Sequence, residues 1–218
     1  MIRIGITGQN GFIGKHLFNT LGLYPDKFER IPFDRLFFER QDLLEDFVKK
    51  CDVIVHLAGM NRHENPDVIY TTNVALANIL TVALRNTKSK AHLIFSSSTQ
   101  EEKDNPYGNS KKDARNILSR WATDAEGCFT GMIIPNVFGP YGAPYYNSVI
   151  ATFCYQLIHQ ETPRIEVDSE LKLIYVNELI DEILSIIQDK KVAFKYEVPH
   201  TSEVTVSQIL SSLKINHS

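Results

Sequence analysis

The sequence predicts an α/β fold: a doubly wound parallel sheet with helices on both faces, followed by a small C-terminal lobe. Three observations predict it. Short β-branched runs alternate with longer segments of helical periodicity through residues 1–134. A glycine-spaced loop, Gly8-Gln9-Asn10-Gly11-Phe12-Ile13-Gly14, joins the first run to the first helix. At roughly 150 residues per domain, the 218-residue chain is also long enough to bury a core without disulfides or structural metal.

The elements follow in order. Residues 2–7 read as a strand and 11–21 as a helix. Residues 28–33 form a weaker strand, interrupted by Pro32, which has no N–H for a ladder. Residues 43–50 read as a short helix and 52–57 as an apolar strand bounded by Gly59. In residues 67–85, Val74, Ala77, Ile79 and Leu80 approximate the helical repeat of about 3.6 residues. Residues 91–96 add a strand, 106–125 a helix and 129–134 a fifth strand. Such an order of strand, helix, strand implies parallel pairing. The last third is less regular. Residues 147–159 and 176–187 read as helices, with short strands at 165–167 and 171–175 between them. Glu197-Val198 is a further short strand and residues 206–213 a terminal helix.

Composition narrows the function classes. Hydrophobic residues make up 43% and charged residues 22%, the profile of a globular chain and not of a disordered tail. Lys plus Arg number 23 against 26 Asp plus Glu, a net charge of -3 with a pI near 6.2. That balance speaks against nucleic acid or an anionic membrane as partner, since each calls for a basic face. Cys51, Cys128 and Cys154 form no C-x-x-C pair, so neither a disulfide framework nor a zinc site is expected. They read as small buried hydrophobes in a reducing compartment. No apolar run approaches the roughly 20 residues of a membrane span, and the N-terminus reaches turn glycines too early for a signal peptide. A cytoplasmic location follows as an expectation.

The glycine loop follows a strand and opens a helix, the context in which this spacing binds a dinucleotide. Gly8, Gly11 and Gly14 permit a tight turn, close approach of backbone to pyrophosphate, and close helix–strand packing. Asn10, Phe12 and Ile13 lie in the same loop and first turn, where unpaired N–H groups and the positive helix end favour phosphate. Asp34-Arg35 comes about 20 residues later, where an acidic residue holds the adenine ribose and an arginine a 2′-phosphate. Having both leaves NAD and NADP open, with Arg35 tipping the balance toward NADP. Asp42-Leu43 stands where it could flank the adenine ring. The expectation is a Rossmann-type fold in a single domain, 1–218, with 1–135 mainly dinucleotide-binding and 136–218 mainly a substrate lobe.

The stretch Asp104-Asn105-Pro106-Tyr107-Gly108-Asn109-Ser110-Lys111 carries the most chemistry. Asn105 can cap a helix and Pro106 suits its first turn. Tyr107 and Lys111 then share one helix face at i and i+4. Free tyrosine and lysine titrate near about 10 and 10.4. A neighbouring ammonium favours the phenolate, which makes Tyr107 a proton donor or acceptor at near-neutral pH. Upstream, Phe95-Ser96-Ser97-Ser98-Thr99 ends a strand at the carboxyl edge, where doubly wound sheets bind ligands. His56 reads as a packed histidine. Asn73 reads as a residue that orders the active-site helix. Asn61-Arg62-His63 stays open between exposed loop and substrate contact, and the phenylalanines are core or surface packing.

These motifs together resemble the extended short-chain dehydrogenases/reductases, the NAD-dependent epimerase/dehydratase family acting on nucleotide sugars. The resemblance also rests on His56-Leu57-Ala58-Gly59, Asn73-Val74, Pro135-Asn136-Val137-Phe138-Gly139 and Tyr175-Val176. It implies Ser98, Tyr107 and Lys111 as the catalytic set, with Tyr107 and Lys111 also at the cofactor and Ser98 at the substrate. It implies that Leu57, Ala58 and Gly59 line the cofactor, with Asn73 beside it. Asn136, Tyr146 and Asn147 would face the sugar nucleotide. A narrower likeness, carried by residues 104–108 and 146–155, is to the reductase domains of capsular-polysaccharide enzymes making UDP-N-acetyl-L-fucosamine. Those domains reduce the 4-keto group of a UDP-2-acetamido-2,6-dideoxy-hexulose with NADPH. Their C-terminal cupin domain, a metal-dependent epimerase, is expected to be absent here.

Departures from the family matter. The arginines that often precede the Pro135-Asn136 and Tyr175-Val176 segments are missing, leaving Lys172 and Arg164 as candidates for the diphosphate. Thr99-Gln100 replaces the Asp-Glu pair of dehydratases, which speaks against 4,6-dehydration. The expected function is an NADPH-dependent 4-keto reductase of a UDP-sugar in capsule or O-antigen synthesis, with NAD an alternative cofactor. A UDP-hexose epimerase with tightly held NAD and a non-catalytic NAD(P)-binding regulator are the competing readings. Expected partners are the UDP-sugar and a second copy in a homodimer. No metal, nucleic acid or membrane is expected.

Overall fold

The structure, a computed structural model, describes residues 1–215. The first unit of the chain comprises Met1–Ile134 and Ile180–Glu197; the second comprises Pro135–Leu179 and the chain from Val198 on.

In the first unit, β1 (Ile2–Thr7) leads through the glycine loop into α1 (Phe12–Gly22) and β2 (Phe28–Ile31). A 3-10 turn at Arg35–Glu39 precedes α2 (Gln41–Lys50), β3 (Val53–His56) and α3 (Pro66–Asn86). β4 (His92–Ser98) ends in a second 3-10 turn, Thr99–Glu102, which leads to α4 (Pro106–Ala125) and β5 (Phe129–Ile134). Every residue of β3 and β5 is buried, as expected for parallel strands covered on both faces. β8 (Ala193–Glu197) completes a six-stranded sheet in the order β2-β1-β3-β4-β5-β8. All five pairings are parallel. Register sets Thr7 beside His56, His56 beside Phe95, and Ser98 beside Ile134. The ends of β1, β3 and β4, with the glycine loop, Leu57-Ala58-Gly59 and Ser98, therefore emerge along one carboxyl edge of this sheet. Strand order reverses there between β1 and β3, the switch point at which such sheets bind ligands.

The core lies between this sheet and α2, α3 and α4, with Ile54, Leu80, Leu93, Leu118 and Trp121 almost completely buried. By length and composition α3 could cross a membrane, against the expectation that no run approaches that length. Its Ala77, Leu80, Ala83 and Leu84 pack into the core cluster, so its apolar face serves the interior.

In the second unit, β6 (Asn136–Phe138) pairs parallel with β7 (Glu170–Tyr175), which pairs antiparallel with β9 (Ser202–Thr205). α5 (Val149–Ile158) and α7 (Val206–Ile215) contribute Phe153, Ile209 and Leu210 to a small separate core with Leu173. α6 (Val176–Asp189) runs from this unit back into the first.

Two local expectations need correction, and three short elements were not expected. Residues 165–167 form no strand; that stretch of chain is irregular. β6 and β9 have three and four residues, too short to establish an alternation. The 3-10 turn at Arg35–Glu39 follows an Asp34 cap that only geometry reveals. Val198 lies outside the last parallel strand, which is Ala193–Glu197.

Candidate active site

The loop after β1 is built around glycine. Gly8 takes a φ of +80°, in the left-handed region, and a Cβ there would lie 2.8 Å from the Ala58 nitrogen. A Cβ on Gly14 would collide with the Gly8 carbonyl oxygen, so α1 starts hard against the loop. Gly11 is the N-cap of α1 and has no side chain with which to satisfy the first N–H groups. The cradle thus fits a pyrophosphate, for which backbone donors and an unfilled approach are what is needed. Asn10 is exposed, Ile13 half-buried, and the Phe12 ring meets His16 edge-on at 5.5 Å.

Beneath the loop, Thr7 Oγ1 and His56 Nδ1 hydrogen-bond at 2.6 Å, while the Ala58 N–H donates to Thr7 Oγ1 at 3.4 Å. These bonds tie the ends of β1 and β3 and fix the backbone of Leu57-Ala58-Gly59. Burial, and then the charge of Lys111, push His56 down to about 3, so it stays neutral. It is a packed histidine, stacked on Phe95 at 5.7 Å.

The predicted adenosine-side residues divide. The Asp34 carboxylate accepts the Leu36 N–H at 2.8 Å and caps the 3-10 turn, while Arg35 is exposed beside it. Asp42 is held by Arg40 at 2.9 Å, and that guanidinium keeps its carboxyl below the usual range. Leu43 is exposed on α2.

Asn105 caps α4, its Oδ1 accepting the Gly108 N–H at 2.8 Å, with Pro106 in the first turn. That places Lys111 one turn after Tyr107, its Nζ 5.9 Å from the Tyr107 ring centre. Lys111 is only 5% exposed. Its Nζ donates to the Ser96 carbonyl oxygen at 2.8 Å and lies 4.9 Å above the Phe95 ring. Burial lowers Lys111 to about 8, opposed by the nearby Glu101 carboxylate. Ser98 ends β4, and its Oγ accepts the Gln100 N–H at 3.2 Å, leaving the hydroxyl hydrogen to donate elsewhere. Asn73, buried on α3, accepts the Met60 N–H at 2.7 Å. It donates to the Met60 carbonyl at 2.8 Å and to Ser110 Oγ at 2.9 Å. It joins the loop after β3 to α4, as its reading as an ordering residue requires.

Asn136, Tyr146 and Asn147 belong to the second unit and are exposed there. Asn136 Nδ2 donates to the Lys172 carbonyl oxygen at 3.2 Å. Sequence reasoning missed Glu101 and Arg115, a buried ion pair of 2.6 Å on the turn after Ser98 and on α4. Spacing gave no signal of the pair, which joins a turn to a helix residue 14 positions further on.

A family model described as the NAD dependent epimerase/dehydratase family matches residues 4–198. The chain belongs to this family. Among curated proteins, it is 32% identical over 215 residues to the UDP-2-acetamido-2,6-beta-L-arabino-hexul-4-ose reductase of Pseudomonas aeruginosa. The match covers 97% of this chain and 57% of that enzyme, so the chain spans little more than half the relative's length. Among solved structures, the capsular polysaccharide assembling protein CapF from Staphylococcus aureus superposes with a TM-score of 0.80 at 33% identity. That likeness covers 97% of this chain and 56% of CapF. RMD from Pseudomonas aeruginosa, solved in complex with NADPH, gives a TM-score of 0.88 at 21% identity, covering 100% and 82% of the two chains. Its likeness is one of fold. The Rossmann-like sheet expected of this epimerase/dehydratase family member is therefore present both in its topology and in its neighbours.

Proposed function

We propose that this chain reduces the 4-keto group of a UDP-linked 2-acetamido-2,6-dideoxy-hexulose, using NADPH, in the synthesis of a capsule or O-antigen sugar. The observation that carries this reading is the Ser98, Tyr107 and Lys111 arrangement, with a buried Lys111 ammonium one turn from Tyr107. The named activity of the P. aeruginosa relative, 32% identical over 97% of this chain, supports the substrate class. Exposed Arg35, beside an Asp34 already engaged as a cap, supports NADPH over NADH. Three free cysteines fit a reducing cytoplasm. A homodimer belongs to the same proposal, and sedimentation equilibrium checks it.

In this reading Gly8, Gly11 and Gly14 hold the pyrophosphate, and Leu57, Ala58 and Gly59 line the cofactor with backbone. When bound, NADPH supplies the hydride. Ser98 donates a hydrogen bond to the ketone oxygen and orients it. Tyr107 gives that oxygen its phenolic proton as the carbon becomes an alcohol. Lys111 holds the nicotinamide ribose, and its charge eases loss of the Tyr107 proton. Asn136, Tyr146 and Asn147 contact the sugar nucleotide. Glu101, the first carboxylate after Ser98, is locked to Arg115, which withholds it from acid or base work in expelling water.

Tyr107→Phe tests the assignment. With a 4-keto UDP-sugar, its turnover should fall by at least roughly two orders of magnitude, while NADPH still quenches protein fluorescence with near wild-type affinity. Wild-type turnover in the variant would remove Tyr107 from the chemistry. Tightly held NAD on purification, with no net NADPH consumption, would favour an epimerase instead.

A further inference from the structure

We propose that Glu101 and Arg115 are positioning residues for this site: their buried ion pair clamps the turn bearing Ser98 onto the helix bearing Tyr107 and Lys111. The inference rests on the reductase reading for its effect on turnover.

The geometry is specific. Arg115 donates through Nε to Glu101 Oε1 at 2.8 Å and through Nη2 to Oε2 at 2.6 Å, a two-pronged pair. Side-chain exposure is 2% for Arg115 and 3% for Glu101. Ser97, next to Ser98 on β4, donates its hydroxyl to Glu101 Oε1. The Arg115 guanidinium lies 4.2 Å above the Phe194 ring of β8, which closes the other side. A Cβ on Gly108 would collide with the Gln100 carbonyl oxygen, so α4 is seated directly on this turn. One carboxylate thus links the strand end, the turn and the helix that carry the catalytic set.

A fully buried ion pair is a costly way to hold two elements together, since well-packed apolar side chains do as well or better. Its charge accounts for the difference. Lys111 is buried, and its Nζ donates to a backbone carbonyl oxygen, that of Ser96, rather than pairing with a carboxylate among the described residues. The titratable and charged groups around it are Glu101 on the turn, His56 on β3, and Tyr107 and Arg115 on α4. Lys195 on β8 acts on Glu101. His56 is neutral, so Glu101 supplies the negative charge that sustains the Lys111 ammonium. Burial alone raises the Glu101 carboxyl, but hydrogen bonds from Arg115 and Ser97 outweigh it and keep the group ionised.

The test pairs Glu101→Gln with Arg115→Met in the full chain, a double variant that leaves neither member of the pair as a lone buried ion. Single Glu101→Gln is the companion, and circular dichroism reports folding of each. The first readout is the titration midpoint of the Lys111 ammonium, followed by NMR of labelled lysine. It is expected to drop below the wild-type value near 8. A drop of about one unit cuts the charged fraction at pH 8 from half to roughly a tenth. Turnover at that pH should then fall roughly fivefold, and its alkaline limb should move toward lower pH with the midpoint. Glu101→Asp, which keeps the charge, should restore the limb. A folded double variant with wild-type midpoint and pH profile would overturn the inference and leave the pair as packing alone. If the wild type consumes no NADPH with 4-keto UDP-sugars, the reductase reading fails. The Lys111 midpoint still decides the clamp.

Discussion

Asp34 and Arg35 adjoin in sequence, yet the structure commits the Asp34 carboxylate to the Leu36 amide and leaves the Arg35 guanidinium exposed. A capping carboxylate is poorly placed to take a ribose hydroxyl as well, whereas a free guanidinium can meet a 2′-phosphate. Charge-assisted hydrogen bonds contribute about 1.5–3 kcal/mol. Arg35→Ala should therefore weaken NADPH binding by roughly tenfold or more while leaving NADH almost unaffected. Fluorescence titration with both cofactors measures it, and equal losses for the two would remove Arg35 from cofactor choice. At this scale the sequence was informative where chemistry depends on residue type and spacing. The glycines at 8, 11 and 14, and Tyr107 with Lys111, were legible because only backbone approach and helical period were needed. Glu101 and Arg115 were not. Their pairing depends on how a turn seats on a helix, and each alone looks like a solvated charge.

Among the elements, α4 and β5 were predicted with their observed ends, and for α4 the reason is local. Asn105 and Pro106 punctuate its start, and its last turn closes on Glu126, which adopts a left-handed φ of 51°. β6 and β9 escaped notice because pairing partners far along the chain make them, and the Arg35–Glu39 turn because it rests on a local cap from the Asp34 side chain. The cap of α4 has a second consequence, since it sits within the turn that carries Tyr107. Asn105→Ala removes the acceptor for the Gly108 amide, which should cost about 1 kcal/mol, or roughly 2–4 °C in Tm. Because Tyr107 lies inside that first turn, kcat should fall further than stability alone predicts, with NADPH affinity retained. Asn105→Ser, which keeps an acceptor, should recover both. A Tm loss without a kcat loss would show that the cap holds the helix but not Tyr107.

For the molecule as a whole, the buried histidines set the acid limit. Burial lowers His56 to about 3, with Lys111's charge adding to it, and lowers His92 to about 4, both from 6.5. Unfolded, each takes up a proton as pH drops through 6.5; folded, each resists until pH is near 4 or 3. The unfolded chain therefore binds more protons in that window, and stability must fall as pH falls through it. Carboxylates held by cations, such as Asp52 by Arg3 and Glu101 by Arg115, titrate below their usual values of 3.8 and 4.5. Their stabilisation is lost only lower down, so the first decline belongs to the histidines. On the alkaline side two groups oppose. Lys111, lowered to about 8, favours the fold more as pH rises from there to 10.5. Cys51, raised by burial to about 12, favours it less as pH rises above 9. The expected profile is thus asymmetric: a steady drop in Tm below pH 6.5 and a shallow response above 8. His92 contacts Thr130 at 2.8 Å through Nε2, so His92→Asn keeps a polar partner while removing one titration. That variant should lose less Tm than the wild type between pH 6.5 and 4.5, followed by circular dichroism at fixed ionic strength. A wild-type Tm that stays flat across this interval would mean that neither histidine is held neutral by its surroundings.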